Sequence, residues 1–354
     1  MARPDRSHEI ELALLRAVGE HPHGLVGVVA AQLGLSRQHI HTRVKPLVAG
    51  GYLRKAGTTR PTYSLGSNRR FQRRYLLDGL TGDRVWYADL LPLLDVLPKN
   101  VLEIAQHGVT EMVNNAIDHS SGRHVSVWME VDAAQLRLHV GDDGIGVFRK
   151  ISRALALPDE RLALLELAKG KLTTDPTRHS GEGIFFTSRA FDHFQIVSGG
   201  LLFDHYDALE MDWLDELDDS GTLQLRNVNA CTQLNSERTL KQVFDQYSSG
   251  PDDYDFAKTI VPVRLARIGD ELLISRSQAK RLVQRVDRFR SVVLDFDQVG
   301  SIGQAFADEI FRVFANAHPE VELIAIHAVP DVQQMIRRAE ILRDEQGGQL
   351  PLLD

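Results

Sequence analysis

The amino-acid sequence predicts a multidomain chain of mixed class. A small helical unit closed by a β-hairpin comes first, a central α/β sandwich follows, and a small α/β layer ends the chain. Three observations predict this. The length of 354 residues argues for two or three domains. Hydrophobic periodicity changes along the chain: helical spacing dominates the first fifty residues, helices and paired strands share the middle, and strands alternate with helices after residue 259. A polar stretch with the turn-forming run Ser248-Ser249-Gly250-Pro251-Asp252-Asp253 sets the last part off. The expected divisions are 1–67 for the helical unit, 68–84 for a basic connector, 85–228 for the central unit, 229–258 for a linker, 259–345 for the α/β layer and 346–354 for a tail.

Composition narrows the function classes. Apolar residues make up 43 % and charged residues 25 %, as in ordinary globular proteins. The formal net charge of −7 gives no global basic field, so nucleic acid could be held only by a local patch. Cys231 is the single cysteine, so no intrachain disulfide forms, which suits a reducing cytoplasm. No apolar run of about 18 residues is present, so neither a transmembrane helix nor a membrane partner is expected. The opening Met1-Ala2-Arg3-Pro4-Asp5-Arg6 lacks the apolar centre of a signal peptide.

The elements follow in order. Residues 8–20 carry Ile10, Leu12, Leu14, Leu15 and Val18 at helical spacing, and Gly24 breaks the pattern. A second helix spans 25–33. Gly34-Leu35-Ser36 is a turn ending in a helix N-cap, and a third helix runs from Arg37 to Ala49, stopped by Gly50-Gly51. Two short strands around Gly57-Thr58-Thr59-Arg60-Pro61 form a hairpin. This order resembles a winged helix-turn-helix, in which the third helix enters the major groove of double-stranded DNA. The DNA-facing residues would be Arg37, Gln38, His41, Thr42, Arg43 and Lys45 on that helix. Lys55 and Arg60 at the hairpin would reach backbone phosphate. Asn68-Arg69-Arg70-Phe71-Gln72-Arg73-Arg74 extends the basic character. The alternative is a helical protein-interaction unit with a solvated basic face.

In the central unit, a helix over 101–115 precedes paired strands at 125–131 and 135–140. A helix-rich insertion covers 148–177, a helix starts at Gly183, a hairpin turns at Gly199-Gly200, and a strand follows at 222–226. Three segments carry the chemistry. In Glu111-Met-Val-Asn114-Asn115-Ala116-Ile-Asp118-His119, a carboxylate and an amide lie one helical turn apart on one face. In Asp142-Asp143-Gly144-Ile145-Gly146, alternate glycines allow close approach of the backbone to a ligand. In Ser180-Gly181-Glu182-Gly183-Ile184, paired glycines open a helix whose amide donors suit phosphate oxygens. Together they outline a pocket for a nucleotide and its magnesium ion.

The set Glu111-x-x-x-Asn115-Ala116, Asp142-x-Gly144-x-Gly146, Gly181-x-Gly183 and Gly221-Thr222 resembles the GHKL ATPase superfamily of gyrase-type ATPases, heat-shock chaperones, histidine kinases and MutL proteins. The resemblance implies a Bergerat-type ATP-binding fold with ATP and Mg2+ as cofactors. It implies Asn115 as the magnesium ligand, a neutral oxygen for a hard octahedral cation. It implies Asp142 as the acceptor of the adenine amino group, Gly144, Gly146, Gly181 and Gly183 as backbone contacts, and Thr222 behind the adenine pocket. Residues 147–180 would be the ATP lid, with Lys169, Lys171, Arg178 and His179 as candidates to close onto the γ-phosphate. Glu111 stands where gyrase-type ATPases place the general base that activates water. The other role open to it is a carboxylate of the magnesium shell. His119 is expected as a structural or supporting residue rather than a phosphoacceptor, since no dimeric helical hairpin precedes the motifs.

The C-terminal layer reads as strands at 259–263, 272–274, 291–296 and 322–327, with helices at 277–289, 302–315 and 331–342. Ser275-Arg276-Ser277-Gln278-Ala279-Lys280-Arg281 and Ser301-Ile302-Gly303-Gln304-Ala305-Phe306-Ala307-Asp308-Glu309 resemble a bacterial STAS-like family of unassigned function. The loop at Gly300-Ser301-Ile302-Gly303 lacks the double serine of the anti-sigma antagonists, and Ser301 would instead cap a helix.

These readings lead to an ATP-gated bacterial regulator with weak hydrolysis. The winged helix would bind DNA, and the STAS-like part would meet a protein partner or a second copy of the chain. The alternatives are an anti-sigma-type serine/threonine kinase acting on a STAS partner, and an ATP-binding module of a larger defence or stress complex.

Overall fold

The structure is a computed structural model that describes residues 6–94, 97–132, 134–172, 181–209, 211–216, 226–250, 253–268 and 271–347. Helices α1 (Ser7–Ala17), α2 (Leu25–Leu33) and α3 (Arg37–Ala49) come first. Gly34 ends α2 in the left-handed region, and the Ser36 hydroxyl accepts from His39 N at 3.2 Å to cap α3. Strand β1 (Leu53–Ala56) pairs antiparallel with β2 (Thr62–Leu65).

The basic stretch expected as a connector is instead strand β3 (Arg69–Leu76), the edge of a seven-stranded antiparallel sheet. Its period of two buries Phe71 and Tyr75 and leaves Arg70, Gln72 and Arg74 outside. The other strands are β4 (His124–Val131), β5 (Gln135–Asp142), β6 (His193–Ser198), β7 (Leu201–Tyr206), β8 (Met211–Glu216) and β9 (Arg226–Gln233), in the order β3-β4-β5-β9-β6-β7-β8. Strand β9 lies mid-sheet between β5 and β6, although its residues from 229 on were expected in a linker. Its core-facing side chains, Val228, Ala230 and Thr232, alternate with Asn227, Asn229 and Cys231, and the stretch reads as polar because it holds one large aliphatic residue.

Helices α4 (Gly82–Val85) and α5 (Leu91–Leu94) are joined by a π-helical turn over Trp86–Leu90. The long α6 (Lys99–His119) packs on β5 and β9, followed by α7 (Val147–Ala154), α8 (Leu162–Lys169) and α9 (Gly183–Ala190). Beyond the sheet come α10 (Leu240–Tyr247) and the hairpin β10 (Ser248–Gly250)–β11 (Asp253–Phe256). The last layer has three parallel strands, β12 (Lys258–Pro262), β13 (Ser291–Asp295) and β14 (Glu322–Ile326). Around them lie α11 (Arg276–Val283), α12 (Gln304–Asp308), which continues through a π turn into α13 (Ala315–Ala317), and α14 (Pro330–Gly347). Residues 272–274 form no strand; Leu273 makes an isolated bridge to Ile302.

The buried side chains form two cores. One runs from the N-terminal helices through the seven-stranded sheet, and the other fills the C-terminal layer. Helix α8 belongs to both: Ala163, Leu164 and Leu167 enter the first, Leu165 and Ala168 the second. All eight of its residues are buried, six of them apolar and the other two the ion-paired Glu166 and Lys169, as suits a helix between two cores. Among the described residues no helix is long and apolar enough to cross a membrane.

Candidate functional site

Helix α6 supplies one wall of the site. Glu111, Asn115 and His119 recur every four residues and share a face. They line a cavity of ≈ 340 Å³ that also takes in Asp142 from the end of β5, Gly146 from the entry to α7, Gly181 and Gly183 from the entry to α9, and Lys150 from α7. Met112, Val140, Ile151, Ile196 and Val228 give it an apolar interior. Segments more than sixty residues apart in sequence thus converge on one hollow.

Each glycine has its own steric reason. A Cβ on Gly144 would overlap the Ser120 carbonyl, and that carbonyl accepts from Ile145 N at 2.9 Å. Gly144 therefore fastens the loop against the end of α6 and does not itself line the cavity. Gly146 adopts φ +87° and hands the chain into α7. Gly181, also at positive φ, leaves no room for a Cβ against the Leu172 backbone, and Leu172 N donates to Gly181 O at 2.9 Å. A Cβ on Gly183 would overlap Glu111 Oε2, so the carboxylate of α6 abuts the first turn of α9.

The two adjacent aspartates separate. Asp142 lines the cavity, and its Oδ1 accepts from Gly144 N at 2.8 Å. Asp143 turns outward and accepts from His124 N (2.9 Å), the His124 ring (2.8 Å) and Arg123 N (2.7 Å). These bonds, those of His124 foremost, hold its carboxyl well below the usual range. Asn115 keeps its amide nitrogen buried with no hydrogen-bond partner, an orphaned polar atom on the cavity wall. Thr222, with Gly221, lies outside the described residues, as do Arg178 and His179 of the expected lid.

Lys169 and Lys171 do not point to the cavity. Lys169 is fully buried, and its ammonium donates to Glu166 Oε1 (2.7 Å), Arg281 O (2.7 Å) and Gln284 O (3.0 Å). Burial lowers its pKa, against the pull of Glu166. Arg285 Nη1 completes the group on Glu166 Oε2 at 2.7 Å, and Thr259 Oγ1 donates to Lys169 O at 2.7 Å. Lys171 donates to Arg288 O at 3.2 Å and lies over the Phe289 ring at 4.9 Å. Both lysines are spent on the seam with the C-terminal layer, so this part of the expected lid is a fixed joint. The aromatic cluster of Phe185, Phe186, Tyr247 and Phe256 reinforces it, with the Phe185 and Phe256 rings 4.5 Å apart.

Lys150 is the residue that motif reasoning missed. It donates to His119 O at 2.9 Å and sits 3.3 Å from His119 Nδ1. Gly146, Val147, Lys150 and Ile151 all line the cavity, a spacing of helical neighbours that marks one face of α7 in the sequence itself.

The residues expected at DNA lie apart from the cavity. Arg37, Gln38, His41, Thr42 and Lys45 are exposed on α3, and Lys55 and Arg60 are exposed at the hairpin. Arg43 is half-buried, with a buried Nε, so it is set back from that face. Behind the helical unit, Asp89 of the π turn is buried and accepts from Arg16 of α1, from Arg73 Nη1 (3.2 Å) and from Tyr75 Oη (2.6 Å). In the C-terminal layer, Ser275 caps α11 in a reciprocal box with Gln278. Ser301 caps nothing: Gly303 holds the N-cap position of α12, because the chain passes Ile274 too closely there for a Cβ.

Residues 278–333 match the family described as a STAS-like domain of unknown function (DUF4325). No curated protein matches the chain. The chain is thus a multidomain α/β protein with a STAS-like domain at its C-terminal end.

Proposed function

We propose that the central unit is a GHKL-type ATP-binding domain, that Mg-ATP occupies the cavity, and that the chain is an ATP-gated regulator with a DNA-binding winged helix. The observation that carries this reading is the convergence of Glu111, Asn115, Asp142, Gly146, Gly181 and Gly183 on one hollow. Its interior supports a purine: Val140, Ile196 and Val228 offer an apolar slot, and Asp142 stands at its edge with one oxygen fixed by Gly144 N.

The residues present fit magnesium. Among the described residues no group of three or more His, Cys, Asp or Glu is placed to cage a metal. Magnesium characteristically binds through one or two protein ligands together with substrate phosphates, and Asn115 on the wall offers one such oxygen. When bound, the ion would neutralise charge on the phosphates. Glu111, against the first turn of α9, is the carboxylate placed to accept the proton of an attacking water as the bond from the γ-phosphorus to the bridging oxygen breaks and ADP leaves.

The test is steady-state phosphate release with magnesium for wild type, Glu111→Ala and Asp142→Asn. Glu111→Ala retains ATP binding and loses turnover; Asp142→Asn loses binding. Phosphate release by Glu111→Ala at the wild-type rate would remove Glu111 as the base. ATP binding without release by wild type would turn the search to a phosphorylated partner, as an anti-sigma-type kinase requires.

A further inference from the structure

A cavity for a polyphosphate needs a cation, and the sequence offers lysines in the wrong place. Lys169 and Lys171 are held in the seam by carbonyl oxygens of the C-terminal layer. Among the described residues lining the cavity, Lys150 is the one lysine or arginine. Its hydrogen-bond partners are neutral, the His119 carbonyl and the His119 ring nitrogen. Among the described residues no carboxylate forms an ion pair with it, and Asp118 acts on it through charge alone. Burial disfavours its charged form, and among the described residues no anion is in contact with this half-buried ammonium beside a ligand-sized hollow.

Position along α6 says which anion. Glu111 and His119 are eight residues apart, about 12 Å along the helix axis, with Asn115 between them. If Glu111 marks the γ end of a triphosphate and Asn115 the metal, then His119 and Lys150 stand further back, beside the α- and β-phosphates. Since an ammonium can only donate, the His119 contact fixes that imidazole with Nδ1 as acceptor. His119 thereby positions Lys150 through both its ring and its carbonyl.

We propose that Lys150, held by His119, is the residue that binds the α/β-phosphate group of the nucleotide in this cavity. The proposal rests on the nucleotide reading above. The experiment is calorimetric titration of the full chain with ATP, ADP and adenosine in magnesium buffer, for wild type, Lys150→Gln and Lys150→Arg. Lys150→Gln weakens ATP and ADP alike by about tenfold or more, leaves adenosine unchanged, and Lys150→Arg recovers most of the loss. Unchanged adenosine binding is also the proof that the variant is folded. If Lys150→Gln binds ATP and ADP as wild type does, the proposal fails and the nucleotide reading stands. An equal loss for adenosine also overturns it, because Lys150 then acts on the wall rather than the phosphates. If wild type binds none of the three, the nucleotide reading itself falls and this proposal falls with it.

Discussion

Gly144 and Gly183 show how the same steric prohibition has different consequences. A Cβ on Gly144 meets a backbone carbonyl, Ser120 O, which cannot move without dragging α6. Gly144→Ala is therefore expected to cost about 2–4 kcal/mol of stability, read from urea denaturation; a loss below half a kcal/mol would show that the loop yields freely. A Cβ on Gly183 meets the far end of the Glu111 side chain, which can swing away. Gly183→Ala should keep the melting temperature within a few degrees and lower phosphate release, and an unchanged rate would separate Glu111 from the chemistry. That these positions call for glycine was legible in the sequence, but the reason was not: Gly144 was expected to admit a ligand and instead packs against Ser120 O. The division of labour between Asp142 and Asp143 was not legible either, since only folding brings His124 and Arg123 to one of them. Lys150 was missed because it belongs to no motif, although its spacing from Val147 and Ile151 carried the signal.

At the scale of elements, α8 departs most from expectation. A lid helix should have one polar face, yet Leu-Ala-Leu-Leu-Glu-Leu-Ala-Lys has two charges, and both are buried against the C-terminal layer. Sequence periodicity cannot distinguish a helix between two cores from a weakly amphipathic surface helix, because the partner that covers the second face is a hundred residues away. Lys169→Met leaves Glu166 buried with Arg285 alone and is expected to cost about 3–5 kcal/mol in urea denaturation. Glu166→Gln combined with Lys169→Met should recover part of that loss; strict additivity of the two would deny the coupling. Strands β3 and β9 were hidden for related reasons. Arg70 and Arg74 of β3 face outward along an edge while Arg69 is buried, and the half-buried polar side chains Asn229 and Cys231 interrupt any apolar run in β9.

For the whole molecule, the order of its parts along the chain was readable in sequence and the way they are joined was not. The N-terminal helices share a core with the sheet, and Gly82 N donates to Asn114 Oδ1 on α6 at 3.0 Å, beside the cavity residue Asn115. The buried Asp89 then ties the same helical run to α1. If α3 meets duplex DNA, Arg37→Ala and Lys45→Ala should each lower the slope of log affinity against log salt by roughly one; a flat salt dependence in wild type would exclude that role. Acid stability supplies a separate check. Burial lowers the pKa of His107 on α6 to about 4, and its Nε2 is sealed off without a partner. The folded chain thus keeps His107 neutral while the unfolded chain protonates it near pH 6.5. Stability is full above pH 6.5 and falls as pH drops toward 4, by up to about 3 kcal/mol, and His107→Phe should flatten that limb in pH-dependent melting.

The joint at Lys169 also bears on inheritance. STAS-like domains invite description as interchangeable modules, to be gained or shed at a boundary between genes. Here a chain ending before Lys258 would keep the Lys169 ammonium and lose two of its three acceptors, Arg281 O and Gln284 O, along with the apolar cover of Leu165 and Ala168. The cavity residue Leu167 lies on helix α8 itself, and Leu172, also on the cavity wall, follows three residues after its end. Exchanging either half alone would thus require rebuilding the other's interior, by paired substitutions across the seam.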